Sequence, residues 1–176
     1  MFPRSLRHGL TAAALLLPTA ALAHDYTYIE GGYLDRDNGF GDDSGLRIAG
    51  SADVAPAFNL FGEYADTGDV EQLTAGGQFH TPLSSATDVF AGASLESIDV
   101  GPVDDTGYGL RAGLRWWAIP NQFELIPEVR HTDIFDEGAT SLRLGGLVRI
   151  ARSLDVQAAI QGGDDDRFEA GLRYGF

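Results

Sequence analysis

Apolar and polar residues alternate along this chain with a period of two, in short runs separated by turn-forming residues, and a 3.6-residue repeat is almost absent beyond position 24. The pattern predicts strands over residues 25–35, 44–53, 57–66, 70–80, 87–99, 106–118, 122–135, 139–150, 154–163 and 167–176. Ten strands of an all-β domain are expected, with eight as the alternative if a pairing is lost or two runs fuse. The 23 glycines agree with many turns and close-packed strands. Pro127, inside the seventh run, cannot donate to a ladder, and a bulge is expected there.

Each run carries one apolar face. Leu46, Ile48 and Ala52 oppose Arg47, Ser51 and Asp53; Leu142, Leu144 and Val148 oppose Arg143 and Arg149. Alternation alone leaves open which face points inward. A soluble barrel fills its interior with the apolar face, whereas a membrane barrel turns that face to lipid.

The positions of the aromatic residues favour lipid. On the apolar parity, Phe58, Phe79, Trp116, Phe123, Tyr174 and Phe176 fall at one end of the strands, and Tyr33, Tyr64, Tyr108, Phe135 and Phe168 at the other. Aliphatic and small residues lie between them. Two aromatic girdles around an aliphatic band suit the two headgroup levels of a bilayer. A soluble core would place its largest rings mid-strand, where burial gains most.

The connections alternate as well. Odd-numbered ones are acidic, such as Asp42-Asp43, Asp104-Asp105 and Asp164-Asp165-Asp166, while even-numbered ones carry Pro56, Pro82, Pro120 or Ser153. In an up-and-down meander successive connections lie at opposite ends. The acidic loops therefore gather at one end, expected to be extracellular, and the tight turns and both mature termini at the other.

Charge sharpens this reading. The chain of 176 residues has 26 acidic and 12 basic side chains, a net charge of -14, which argues against a nucleic-acid partner, and it has no cysteine for a disulfide or thiolate site. The surplus acids sit in the connections. On the polar parity of the strands, Glu30, Asp53, Glu63, Glu96, Glu124, Glu128, Asp155 and Glu169 nearly balance Arg47, Arg111, Arg115, Arg130, Arg143, Arg149 and Arg173. Arginine pairs closely with carboxylates. A narrow lumen filled by a connected Arg–carboxylate network is expected, with Arg111, Arg115, Arg130 and Arg143 facing Glu63, Glu96, Glu124, Glu128 and Glu169.

At the N-terminus, Arg4 and Arg7 precede an apolar stretch that closes on Ala21-Leu22-Ala23. This is the pattern of a secretory signal peptide over residues 1–23, leaving a mature domain over residues 24–176. The early strand with Tyr28-Ile29-Glu30-Gly31-Gly32-Tyr33, the even hairpins, and a last strand alternating Phe168, Leu172 and Tyr174 before Phe176 complete a further pattern. In these features the chain resembles the small OmpA-like and OmpX-like outer-membrane barrels of Gram-negative bacteria. The resemblance implies an outer-membrane location, lipid and lipopolysaccharide as surroundings, a monomer, and Phe176 as the signal read by the assembly machinery.

Motifs for chemistry are sparse. His131 and Asp133 share the apolar parity and face away from the lumen, so no enzyme is expected. Asp164, Asp165 and Asp166 are candidate divalent-ion ligands but lack the spaced order of a dedicated calcium loop, and solvated tips are the expected state. No cofactor is expected. The functional expectation is a structural or surface-interacting barrel acting through its acidic loops. The alternatives are a narrow porin-like channel and a soluble periplasmic ligand-binding barrel.

Overall fold

A computed structural model describes residues 24–37, 42–68, 70–135 and 137–176. The expected signal peptide, and residues 38–41 of the first acidic connection, lie outside the described residues. The ten strands are β1 (Tyr28–Asp37), β2 (Asp42–Ala55), β3 (Phe58–Asp66), β4 (Val70–Ser84), β5 (Thr87–Val100), β6 (Val103–Ile119), β7 (Phe123–Ile134), β8 (Glu137–Ala151), β9 (Leu154–Gly163) and β10 (Asp166–Gly175). Every strand pairs antiparallel with its sequence neighbours, and β1 pairs with β10, so the sheet closes without an edge. The eight-strand alternative is excluded.

The lumen-facing and outward residues alternate as a closed sheet requires. Leu46, Ile48, Leu95, Leu142, Leu144, Val148 and Ile160 are exposed on the outside, while Glu30, Arg47, Glu63, Arg115, Glu124 and Glu169 are buried inside. A soluble barrel would need the reverse, and that alternative is overturned. Both aromatic girdles face outward except at Phe135, which sits in the β7–β8 turn at φ 58° and lines the mouth of the barrel. At the loop end the Tyr33 hydroxyl donates to Asp35 at 2.8 Å and that of Tyr108 to Asp133 at 3.2 Å, so these rings lie on the apolar band with their polar tips toward the acids. At the turn end Phe58 packs on Phe79 across the β3–β4 ladder, and Tyr174 on Phe176. This is the fold of a transmembrane β-barrel.

Each of the four hairpins at the turn end carries a register shift one or two residues before its turn, at Asp53/Ala55, Pro82/Ser84, Trp117/Ile119 and Arg149/Ala151. An extra residue sharpens the twist and lets the strands turn over tightly. Asn121, at φ 57°, completes the β6–β7 turn in a conformation that asparagine tolerates better than most.

Two expectations fail here. The strands run on past their expected ends: Asp99 pairs with Asp104, leaving only Gly101 and Pro102 between β5 and β6, where residues 100–105 are expected as a connection. No bulge occurs at Pro127 either. The β6–β7 register is the same at Gly113↔Glu128 and Trp116↔Leu125, and Pro127 stays in line with Leu144 of β8. The pairing with β6 is instead interrupted opposite Ile126 and Pro127, as a missing N–H requires.

Candidate functional site

The inward parity brings most of the expected charges together. Glu30 accepts hydrogen bonds from Arg47 and Arg173, each at 2.6 Å, and Arg47 also donates to Glu63 at 2.6 Å. Arg143 donates to Glu169 at 2.6 Å, Arg130 pairs with Glu128 two residues back along its own strand, Arg115 holds Glu124 in a two-pronged contact, and Arg149 donates to Asp155 at 3.0 Å. Forked guanidinium–carboxylate geometry of this kind satisfies charges that burial would otherwise leave costly.

The expected network is incomplete at two positions. Glu96 contacts no arginine; it accepts from Gln72 at 3.2 Å, from Ser94 at 2.6 Å and from Thr74. Arg111 makes no carboxylate contact, and its guanidinium lies 3.4 Å from the centre of the Phe61 ring. The lumen is also less polar than its charges suggest. Leu34, Phe61, Phe90, Ile126 and Leu147 point inward, and the last three form a small apolar cluster.

Sequence reasoning missed the groups at both mouths. At the loop end Arg36, Arg167 and Asp165 join the lumen. Arg36 and Arg167 share the parity of Glu30 and Glu169; Arg167 opens the expected last strand and Arg36 lies one residue past the expected first, so counting in twos could have found both. Asp165 accepts from Arg36 Nε at 2.9 Å and from Arg167 Nε at 2.5 Å. Burial pushes its carboxyl upward, but Arg167 and Arg36 outweigh this and hold it below the ordinary aspartate range. Asp164 instead caps Thr140 N at 2.8 Å and Asp166 caps Gly163 N at 3.0 Å. The three carboxylates are thus engaged in three directions, which corrects their candidacy as joint ion ligands.

At the turn end the segment before β1 folds into the mouth as a stopper. His24 Nδ1 lies 3.0 Å from Glu124 and its ring stacks on Trp117; Arg115 donates to the Asp25 carbonyl at 2.6 Å. Tyr26 stacks on His80 with ring centres 3.7 Å apart, and its hydroxyl reaches Asp88 at 3.3 Å. His131 and Asp133 do not form a dyad, since His131 contacts Thr140 and Asp133 is held by Tyr108.

Between the mouths the free space forms a series. A vestibule of about 260 Å³ at the loop end shares Gln72, Asp165 and Arg167 with a cavity of about 40 Å³ below it. That cavity shares Arg111 and Arg130 with another of about 50 Å³, which ends against Tyr26. Each of the lower two has polar walls and room for roughly a few waters.

No family model matches the chain, and no curated protein matches it. Solved structures do share the fold. A KdgM porin superposes with a TM-score of 0.56 at 13% identity, over 85% of this chain and 99% of that one. A KdgM porin in complex with disordered oligogalacturonate gives 0.51 at 13%, over 84% and 99%. The NanC porin gives 0.53 at 7%, over 85% and 100%. The neighbours are outer-membrane porins, and at these identities the likeness is one of fold; a specific tie to OmpA-like or OmpX-like proteins is not among these matches.

Proposed function

We propose that this protein is a monomeric outer-membrane barrel that acts as a narrow porin-like channel for small solutes, described here in a closed state. The series of cavities along the axis carries the reading: it runs from the loop-end vestibule to the Tyr26 stopper, with Arg111 and Arg130 lining both of the lower cavities. A purely structural barrel has no need of a wet path bounded by a side chain held only against an aromatic ring. The short acidic connections also leave little surface for a loop-borne partner.

In this reading the acidic end faces the exterior, lipid and lipopolysaccharide surround the apolar band, and Phe176 presents the last strand to the assembly machinery after export. Arg111 stands between the two lower cavities. A cation without a carboxylate partner gives an entering solute something to displace Phe61 for. One structural neighbour was solved with an acidic oligosaccharide, which favours anionic over cationic solutes for this path as well.

Planar-bilayer recording tests the proposal. The wild-type protein is expected to conduct slightly and intermittently, a variant lacking residues 24–26 steadily, and Arg111→Ala with reduced anion preference. Silence from the truncated variant, with folding verified by heat-dependent electrophoretic mobility, would return the chain to the structural reading.

A further inference from the structure

The loop-end vestibule has a two-sided chemistry that conduction alone does not require. One wall is aliphatic, built from Val70, Ile98 and Ile134, all on the inward parity of their strands. The other carries Arg36 and Arg167, which share a single carboxylate, Asp165, and a single amide oxygen, Gln72 Oε1, at 3.0 and 2.9 Å. Asp164 and Glu137 also line the vestibule, so what this wall lacks is a hydrogen-bond acceptor rather than a counter-charge. Arg167 Nη1 is 4.0 Å from the Glu63 carboxylate, beyond hydrogen-bond reach. Arg36 Nη1 is buried and meets no acceptor among the described residues. A buried guanidinium N–H without a partner is uncommon enough to need a cause.

We infer that the vestibule is a binding site for a small organic monocarboxylate with an apolar body. The carboxylate would accept from the free Arg36 Nη1, with Arg167 beside it, while the body lies on Val70, Ile98 and Ile134. The acids around the rim argue against polyanions, because every added negative charge meets repulsion, whereas an apolar body adds affinity without adding charge. The volume of about 260 Å³ suits a molecule of roughly benzoate size. Binding here goes beyond the channel reading, since a site at the mouth can fill whether or not the solute passes the stopper.

The test is fluorine NMR of 4-fluorobenzoate with the full barrel in detergent micelles, beside 4-fluorobenzyl alcohol as a neutral probe that reports micelle partition. Saturable binding of the acid alone is expected, displaced by benzoate and not by inorganic phosphate. Arg36→Gln should weaken it at least tenfold. Should that variant fail to fold, Ile98→Ser, which leaves both arginines in place, should weaken fluorobenzoate several-fold. Equal behaviour of acid and alcohol, displacement by phosphate, or undiminished binding in a folded variant would overturn the site. Bilayer conductance is recorded separately, so failure of the site and failure of the channel are told apart.

Discussion

Glu30 of β1 accepts from Arg173 of β10 at 2.6 Å, so the first and last strands are tied through the lumen as well as by their ladder. Glu30 also receives Arg47 of β2, which makes it the shared acceptor of three consecutive strands at the seam. Arg173→Gln is expected to cost about 1–3 kcal/mol, because Glu30 keeps one of its two cations. Glu30→Gln should cost more, up to about 3–5 kcal/mol, since it strands Arg173 and leaves Arg47 with Glu63 as its bonded carboxylate. The double variant should lose less than the sum. Urea refolding titrations of the four proteins form the cycle, and additive losses would mean that water screens the seam.

The loop-end cluster should respond to acid. Asp165 titrates below its ordinary value, so the stability it contributes is present above the unfolded-state pKa of about 4 and is lost as pH falls through the lower folded-state value. Asp165→Asn removes that contribution at neutral pH. The gap in unfolding midpoint between wild type and variant should therefore be widest near pH 7 and shrink steadily below about pH 4. A gap that does not depend on pH would show that the side chain acts by packing alone.

The two-residue period exposed the ten strands, and the aromatic positions the choice of inner face, because both follow from single positions. Partners across the lumen do not. Arg115 lies beside Ile126 in the β6–β7 register and reaches Glu124 toward the turn end, while Glu128 is taken by Arg130 of its own strand. Which inward residues share a level depends on the stagger of the closed sheet, and alternation carries no record of it. The stopper was hidden for a related reason. Residues 25–27 read as the start of a strand, but the pairing with the last strand fades at Thr27, whose carbonyl accepts from Phe176 N at 3.2 Å, and residues 24–26 turn into the mouth.

Lipid contact is testable by size. Leu144 stands outward with 46% of its surface exposed, in the aliphatic band. Leu144→Phe should be tolerated within about 0.5 kcal/mol, because acyl chains yield where a packed core would not. Leu144→Arg should cost about 2–4 kcal/mol near the midplane. Refolding titrations into vesicles compare the two, and a severe penalty for phenylalanine would indicate protein packing rather than lipid.

Glycine at the seam is needed for closure. Gly32 and Gly171 pair across β1 and β10, and a Cβ at Gly171 would lie 2.3 Å from the Gly31 carbonyl oxygen. Backbone cannot yield as a side-chain tip can, so Gly171→Ala should cost about 1–3 kcal/mol through strain, while Gly62→Ala, whose Cβ meets nothing nearer than 3.6 Å, should be near neutral. Equal midpoints for the two variants would show that the seam relaxes freely.

The stopper makes a prediction about access. The His24 ring is buried between Trp117 and Glu124, whereas Arg152 in the β8–β9 turn at the same end is exposed. In the refolded barrel His24→Cys should react with a bulky maleimide at least tenfold more slowly than Arg152→Cys, since labelling must wait for the segment to leave the mouth. Adding Tyr26→Ala removes the stack on His80 and the hydroxyl contact with Asp88, and should bring the rate at position 24 close to that at position 152. Conductance ought to rise in that same variant, because Tyr26 walls off the last cavity of the axial series. Fast labelling at position 24 in the otherwise unaltered barrel would mean that the mouth stands open most of the time, and the Arg111 side chain would then be the sole barrier left to explain a small conductance.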